Sequence, residues 1–171
     1  MVMSVAEVFD IALEPAPLTL EAVNVAEILD EVLVLLEHRE LPPSLKIVRE
    51  FPTVVTWRVD PQQLRQAVWN LCLNAVEAMP DGGELRVGAG LEDRRLYIVI
   101  SDTGDGIPSS DQPHVFEPFF STKSGGSGLG LALVHRIVRD HGGDVSLRNG
   151  ASGGTSAVLV LPAAAGTVVA R

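Results

Sequence analysis

Cysteine, basic side chains and long apolar runs are all scarce in this chain of 171 residues. Its single cysteine excludes an internal disulfide bond and a cysteine-based metal cluster. The 13 Lys and Arg residues face 22 Asp and Glu residues, and the net charge of −9 argues against nucleic acid as a partner. The most apolar stretch, residues 157–170, is broken by Pro162 and Gly166 and is too short to span a membrane. The N-terminus shows no signal-peptide pattern, so we expect a cytoplasmic domain without membrane contact.

What the sequence does contain is a hydrophobic pattern that switches between helical and strand periodicity. It predicts helices over residues 25–39, 61–79 and 128–140, and strands over 45–50, 54–59, 84–89, 95–101, 144–148 and 155–161. This order lacks the strict strand–helix alternation of a parallel doubly wound sheet. We therefore expect an α+β fold, a two-layer sandwich in which a mixed sheet of about five strands carries three helices on one face.

The two ends of the chain are expected to lie outside the main domain. Val5, Val8 and Leu13 have helical spacing, and Pro15 and Pro17 end any helix there because proline lacks the backbone donor. Residues 1–17 are interpreted as the tail of an element that begins elsewhere, followed by a linker. The main domain is assigned to residues 18–163 and a C-terminal tail to residues 164–171.

The second predicted helix carries an unusual polar face. Asn70, Asn74 and Glu77 fall together, away from the apolar stripe of that helix. Asparagine is a mediocre helix former, because its side chain competes for backbone groups. A carboxamide oxygen is a suitable ligand for Mg²⁺, which is usually also coordinated by phosphate oxygens of the substrate. The alternative is that both asparagines are simply solvated on an exposed face.

Two glycine-rich loops are candidate ligand sites. In the first, Gly104 and Gly106 allow the backbone to approach a flat ligand, and Asp102 could accept a hydrogen bond from an exocyclic amine. Acidic glycine turns also bind Ca²⁺ or nothing, although no EF-hand spacing follows here. The second loop, residues 125–130, opens the third helix, where free backbone donors and the helix dipole favour an anion. It matches neither a Walker A loop nor a dinucleotide fingerprint, and it could also be a plain flexible loop.

Between these loops lies a segment rich in phenylalanine. Phe116, Phe119 and Phe120 fall within five residues of an otherwise polar loop, and such aromatics usually cover a core or a ligand. Lys123 follows them, two to five residues before glycines of the second loop, where it could meet a phosphate.

The order and spacing of these motifs resemble the N, G1, F, G2 and G3 boxes of sensor histidine kinases. The matching segments, between residues about 20 and 162, are Asn70–Ala75, Asp102–Ile107, Phe116–Phe120, Gly126–Ala132 and Gly153–Thr155. That family shares its Bergerat ATP-binding fold with DNA gyrase, Hsp90-type chaperones and MutL proteins. The segments NAVEAMPDGG and FFSTK are most similar to the nitrogen-regulation class of sensor kinases.

The resemblance implies a role for each matching residue. Asn74 would bind Mg²⁺ with Asn70 nearby, and Asp102 would pair with the adenine amino group of ATP or ADP. Lys123 would offer a countercharge to the phosphates within a lid of residues 108–127. The remaining implied nucleotide-binding residues are Gly104, Gly106, Ile107, Phe119, Gly126, Gly128, Leu129, Gly130 and Thr155.

Two positions bear on the reaction. Gyrase-type ATPases place a general-base glutamate where this chain has Asn70, which cannot accept a proton, so ATP should be held with little hydrolysis. Many histidine kinases have a basic residue where this chain has Glu77. This chain therefore lacks one expected phosphate contact, and Lys123 would have to provide more of the positive charge that faces the phosphates.

The expected function is therefore the Mg·ATP-binding catalytic domain of a two-component sensor kinase. The phosphoacceptor histidine, on a dimerising helical hairpin, is expected outside this chain, because His38, His114, His135 and His141 lack its sequence setting. His141 is predicted to interact with the C-terminal end of its helix. A response regulator would be an indirect partner, and the chain alone should not phosphorylate itself. The alternatives are a gyrase- or chaperone-type ATPase, a non-catalytic nucleotide sensor and an anti-sigma-factor kinase.

Overall fold

The computed structural model of the chain describes residues 17–120, 128–151 and 153–163. Within these ranges, strands and helices follow one another from the N-terminal to the C-terminal side. They are β1 (Glu21–Asn24), α1 (Val25–Glu37), β2 (Leu45–Glu50), β3 (Thr56–Val59), α2 (Pro61–Glu77), β4 (Gly83–Glu92), β5 (Arg95–Ser101), a 3-10 turn (Gln112–His114), α3 (Gly130–Asp140), β6 (Asp144–Asn149) and β7 (Thr155–Pro162). The helix predicted for residues 1–14 lies outside the described residues.

Five strands form one mixed sheet in the order β2-β4-β5-β7-β6. Only β2 and β4 are parallel, and the other neighbours are antiparallel. The three helices form the second layer, and α2 lies in its middle, in contact with both α1 and α3. The predicted two-layer α+β sandwich with three helices on one face is confirmed.

The predicted strand at residues 54–59 does not join this sheet. It begins at Thr56 and pairs in antiparallel fashion with β1, a four-residue strand that sequence periodicity did not predict. Four residues are too few to display a period of two, and their pairing depends on a partner more than 30 positions away. The resulting two-stranded ribbon carries the starts of α1 and α2, because each helix directly follows one of its strands.

The N-termini of α1 and α2 lie where the capping signals in the sequence predict them. Asn24 caps α1 by accepting a hydrogen bond from the Ala26 N–H at 3.2 Å. Asp60 caps α2 by accepting from the N–H groups of Gln62 and Gln63, both at 3.1 Å, and Pro61 occupies the first helical position. Sequence signals therefore place both helices to the residue at their N-termini.

Asp60 is also the buried polar centre of the described part of the chain. Its second carboxylate oxygen accepts from the Thr19 N–H at 3.0 Å, and its own N–H donates to His141 Nε2 at 3.0 Å. His141 Nδ1 lies 2.7 Å from the Ile137 carbonyl oxygen. Nε2 is therefore the acceptor of the Asp60 N–H, and Nδ1 is the donor to the carbonyl oxygen, which can only accept. The start of α2, the end of α3 and the entering chain therefore meet at this one residue, the first and third at its carboxylate and the second at its backbone N–H.

The core lies between the helical layer and the sheet. Cys72 on α2 is fully buried there, and this burial raises the pKa of its thiol to about 12. The thiol is therefore protonated at neutral pH and serves as a small apolar side chain. No helix within the described ranges is both long enough and apolar enough to cross a membrane.

Candidate nucleotide-binding site

A cavity of about 320 Å³ opens between α2, α3 and the ends of β5 and β7. It brings together seven of the residues predicted to bind the nucleotide or its metal, although these come from four separate segments of the chain. These residues are Asn74, Asp102, Gly106, Ile107, Gly128, Gly130 and Thr155. The predicted residues Asn70, Gly104, Phe119 and Leu129 do not line this cavity, and Lys123 and Gly126 lie outside the described residues.

Helix α2 contributes both polar and apolar side chains to one wall of the cavity. Asn74 and Glu77 lie one turn apart on this helix and both line the cavity, with Leu71 and Ala75 beside them. Asn70 lies a further turn towards the N-terminus. This wall offers a carboxamide and a carboxylate at its C-terminal end.

Asp102 stands just beyond the end of β5 and is held by backbone groups on both sides. Its Oδ1 accepts from the Gly104 N–H at 2.9 Å and from the Thr155 N–H at 3.2 Å. The Asp102 N–H in turn donates to the Thr155 carbonyl at 2.9 Å. The orientation of this carboxylate is therefore set by its own loop and by the start of β7.

Two glycines bring these backbones close enough for that arrangement. Gly154 has φ +77°, and a methyl group there would overlap the Asp102 carbonyl oxygen. A methyl group on Gly104 would overlap the carbonyl of Ala78, the C-cap residue of α2. The close approach that Gly104 permits is thus between its loop and α2.

The next residues of the loop form another side of the cavity. Ile107 and Pro108 both line it, and the Ile107 backbone makes two hydrogen bonds with the side chain of Asn149, at the end of β6. The sequence motifs did not single out Asn149. Its only signal was an asparagine directly before a glycine-rich turn, which is also an ordinary turn signature.

The phenylalanine segment closes the cavity from the remaining side. Phe120 lines it, whereas Phe119 is 44 % exposed and adopts an unusual φ of +67°. The Phe119 N–H donates to the Gly128 carbonyl at 3.0 Å, and Gly128 itself has φ +71°. Phe116 packs on the ring of His135, with centroids 5.3 Å apart. The contact between Phe119 and Gly128 joins the two ends of residues 120–127.

Apolar side chains make up most of the rest of the lining. They include Ala78, Ile100, Val115, Leu131, Leu147 and Ala157. Sequence periodicity assigned most of these positions to secondary-structure elements, and it cannot tell a residue that lines a cavity from one that packs inside the core. An apolar cavity with a few placed polar groups is the usual form of a small-molecule site.

The charge of the described lining is wholly negative. Asp102 and Glu77 are the charged side chains among the described lining residues. No group of three or more His, Cys, Asp or Glu side chains in the described ranges is arranged to hold a metal ion. A cation at this site would therefore depend on oxygens of the ligand as well as on Asn74 or Glu77.

The sequence matches one known family over most of the described domain. The profile described as "Histidine kinase-, DNA gyrase B-, and HSP90-like ATPase" matches residues 59–165. The chain belongs to this family.

Individual relatives narrow the assignment. Sensor histidine kinase ZraS of Escherichia coli K12 is 33 % identical over 153 residues, covering 87 % of this chain and 32 % of ZraS. The solved catalytic domain of histidine kinase ThkA superposes with a TM-score of 0.78 at 27 % identity, covering 84 % of this chain and 97 % of that domain. Full-length ShkA, solved with AMPPNP, gives a TM-score of 0.77 at 27 % identity, covering 90 % of this chain and 34 % of ShkA.

The chain spans about a third of the length of the curated relatives it matches. It is homologous to the ATP-binding catalytic domain of two-component sensor histidine kinases.

Proposed function

We propose that this domain binds Mg·ATP in the cavity and presents its γ-phosphoryl group to a histidine on a helical hairpin of the parent protein. The single observation that carries the proposal is the convergence of Asn74, Asp102, Pro108 and Gly128 on one cavity of about 320 Å³. Asn70, one turn before Asn74, has no proton-accepting group, which favours holding ATP over hydrolysing it.

Each described residue has a task in this proposal. Asp102 accepts a hydrogen bond from the exocyclic amine of adenine, and Ile107 packs on the base. Gly128 and Gly130, at the start of α3, present backbone donors and the positive end of the helix dipole to the phosphates. Bound Mg·ATP supplies an electrophilic γ-phosphorus whose surrounding negative charge is partly neutralised by the metal. Lys123 and Gly126 retain the phosphate-binding roles that their motif implies.

The same cavity supports a dependence on the metal. ATP is a polyanion, while the charged side chains of the described lining are two carboxylates, Glu77 and Asp102. Their repulsion of the phosphates is relieved when a divalent cation lies between them. Asn74 is the proposed ligand, and Glu77, one turn later, adds favourable charge for the cation.

Chelation of Mg²⁺ is therefore expected to weaken ADP binding about tenfold or more. Titration calorimetry of the chain with ADP, in excess Mg²⁺ and in excess EDTA, measures this ratio. The substitution Glu77→Gln should narrow the ratio by strengthening metal-free binding, while Glu92→Gln, an exposed change at the end of β4, should leave it unchanged. Equal affinities in Mg²⁺ and EDTA would contradict the proposed metal role.

Transfer of labelled phosphate tests the kinase function itself. With γ-labelled ATP, the chain alone should remain unlabelled, and the separately produced histidine hairpin of the parent should become labelled when both are mixed. Phosphate release by the chain alone should be about 100-fold or more below that of relatives with a glutamate at the Asn70 position, because a positioned general base contributes at least that factor. Rapid ATP turnover without transfer would instead identify an ATPase of the gyrase or chaperone type.

Several narrower assignments belong to the same proposal. The FFSTK and NAVEAMPDGG segments support membership of the nitrogen-regulation class, and a response regulator would receive the phosphoryl group from the hairpin. We further propose that the catalytic domain comprises residues 18–163. A cytoplasmic location fits the use of ATP as substrate.

A further inference from the structure

The side chain of Asn149 makes an unusually complete contact with a distant backbone segment. Its Oδ1 accepts from the Ile107 N–H at 2.7 Å, and its Nδ2 donates to the Ile107 carbonyl oxygen at 2.7 Å. The two residues are 42 positions apart in the chain. The Ile107 carbonyl has one further and longer contact, from Gln112 Nε2 at 3.5 Å. Asn149 thus satisfies both backbone groups of Ile107.

This pair of bonds reproduces a rung of an antiparallel sheet. Two residues in such a rung exchange both N–H···O bonds, and a carboxamide offers the same donor and acceptor side by side. Asn149 is the last residue of β6, and its side chain makes with the Ile107 backbone the two bonds that a paired residue would make in such a rung. Asparagine makes both bonds without a change of protonation, whereas an ionised aspartate would set a negative charge against the Ile107 carbonyl oxygen.

The neighbouring residue is adapted to this contact. Gly106 has φ +79°, and a methyl group there would lie 3.0 Å from Asn149 Oδ1. The left-handed backbone at Gly106 turns the amide of Ile107 towards β6, and the missing side chain leaves room for the carboxamide.

A single hairpin therefore holds both ends of the loop 102–107. Asp102 is bonded to Thr155 at the start of β7, and Ile107 is bonded to Asn149 at the end of β6. Asn149 does not line the cavity, whereas Ile107 and Pro108 do. Its effect on a ligand must therefore pass through the position of these two residues.

We propose that Asn149 is a positioning residue that fixes the Ile107–Pro108 wall of the cavity and thereby raises affinity for the nucleotide base. The inference rests on the proposed function, because it assigns the base to this side of the cavity. Without the carboxamide, Ile107 exchanges its two bonds for water, and the binding of ADP must order the loop.

Three variants and two measurements test this positioning role. Calorimetry with Mg·ADP gives the affinity, and amide hydrogen exchange followed by NMR reports the protection of the Ile107 N–H. Asn149→Ala should weaken ADP binding about tenfold, since two net hydrogen bonds order the wall, and should accelerate Ile107 exchange by a similar factor. Ser146→Ala, in the same strand but on its other face, should change neither quantity.

Asn149→Asp adds a readout that a general loss of stability would not produce. An ionised carboxylate cannot donate to the Ile107 carbonyl, but a protonated one has a donor and an acceptor like the amide. Its ADP affinity, relative to that of the wild type, should therefore rise as the pH falls from about 8 towards about 5, the range in which a carboxylate beside a carbonyl oxygen begins to take up a proton. A ratio that is independent of pH would overturn the two-bond role.

The results of these experiments distinguish a failure of the positioning role of Asn149 from a failure of the proposed nucleotide-binding function. Normal ADP binding by the wild type, with unchanged affinity in Asn149→Ala, would overturn the positioning role alone. Failure of the wild type to bind ADP would overturn the nucleotide site itself, and the inference with it.

Discussion

Replacing Asp102 with asparagine is expected to weaken ADP binding about 100-fold while leaving the fold intact. The amide oxygen can take over the two bonds that Oδ1 accepts from the N–H groups of Gly104 and Thr155. The amide nitrogen then replaces the other carboxylate oxygen and presents a donor to the exocyclic amine of adenine. A hydrogen bond to a charged group contributes about 1.5–3 kcal/mol, and opposing donors add a penalty, which corresponds to about two orders of magnitude in Kd.

A matched change in the same loop controls for effects of net charge. Asp105 is exposed, three residues further on, and does not line the cavity. Asp105→Asn should therefore keep the affinity of the wild type in the same calorimetric titration. If Asp102→Asn bound ADP as tightly as Asp105→Asn does, the carboxylate would have no role in recognising the base. Thermal unfolding of both variants should stay close to that of the wild type.

The substitution Gly154→Ala is expected to lower the free energy of unfolding by about 3 kcal/mol and to abolish ADP binding. A residue other than glycine is strained at φ +77°, which costs about 1–3 kcal/mol. The added methyl group would also overlap the Asp102 carbonyl oxygen and lie 2.7 Å from its carbon, so two backbone segments must separate. Because Thr155 follows directly, this separation also breaks its bonds to Asp102. Urea denaturation measures the change in stability.

A substitution at the adjacent Gly153 separates the cost of the backbone conformation from the cost of the steric clash. Gly153 also has a positive φ, of +97°, but it is exposed, and a methyl group there would lie 4.0 Å from the Gly104 carbonyl oxygen, an ordinary contact distance. Gly153→Ala should therefore show only the conformational cost, about 1 kcal/mol, and should retain ADP binding. Equal losses of stability in the two variants would mean that the contact with Asp102 contributes nothing.

The helices were predictable because their start signals are local. Asn24 before α1 and Asp60-Pro61 before α2 act within three residues of their own positions, and the structure shows the expected caps. The predicted sandwich also followed from element order, and two of the four strand pairs of the sheet, β4–β5 and β6–β7, join strands that are consecutive in sequence. Strand β1 was not predicted, because its four residues gain their structure from β3.

The residues of the candidate site were predictable from sequence where their type is unusual for the secondary structure around them. Two asparagines within a helix, and glycines beside an aspartate, stand out against their surroundings, and Asn74, Asp102 and Gly106 meet at one cavity. Their roles in binding remain predictions. Asn149 could not be found in this way, because its function depends on a contact across 42 positions. The left-handed backbone of Phe119 was equally hidden, since nothing in a phenylalanine indicates it.

The bond between Phe119 and Gly128 has an evolutionary consequence. It holds together the two points of the domain between which residues 120–127 run, so the ends of that segment are already close. Lengthening a closed loop is inexpensive, and each doubling costs only about 0.6 kcal/mol. Descendants of this sequence could thus gain or lose residues here, and vary what touches the phosphates, without altering the sheet or the helices. The length of this segment is therefore only weakly coupled to the stability of the domain around it.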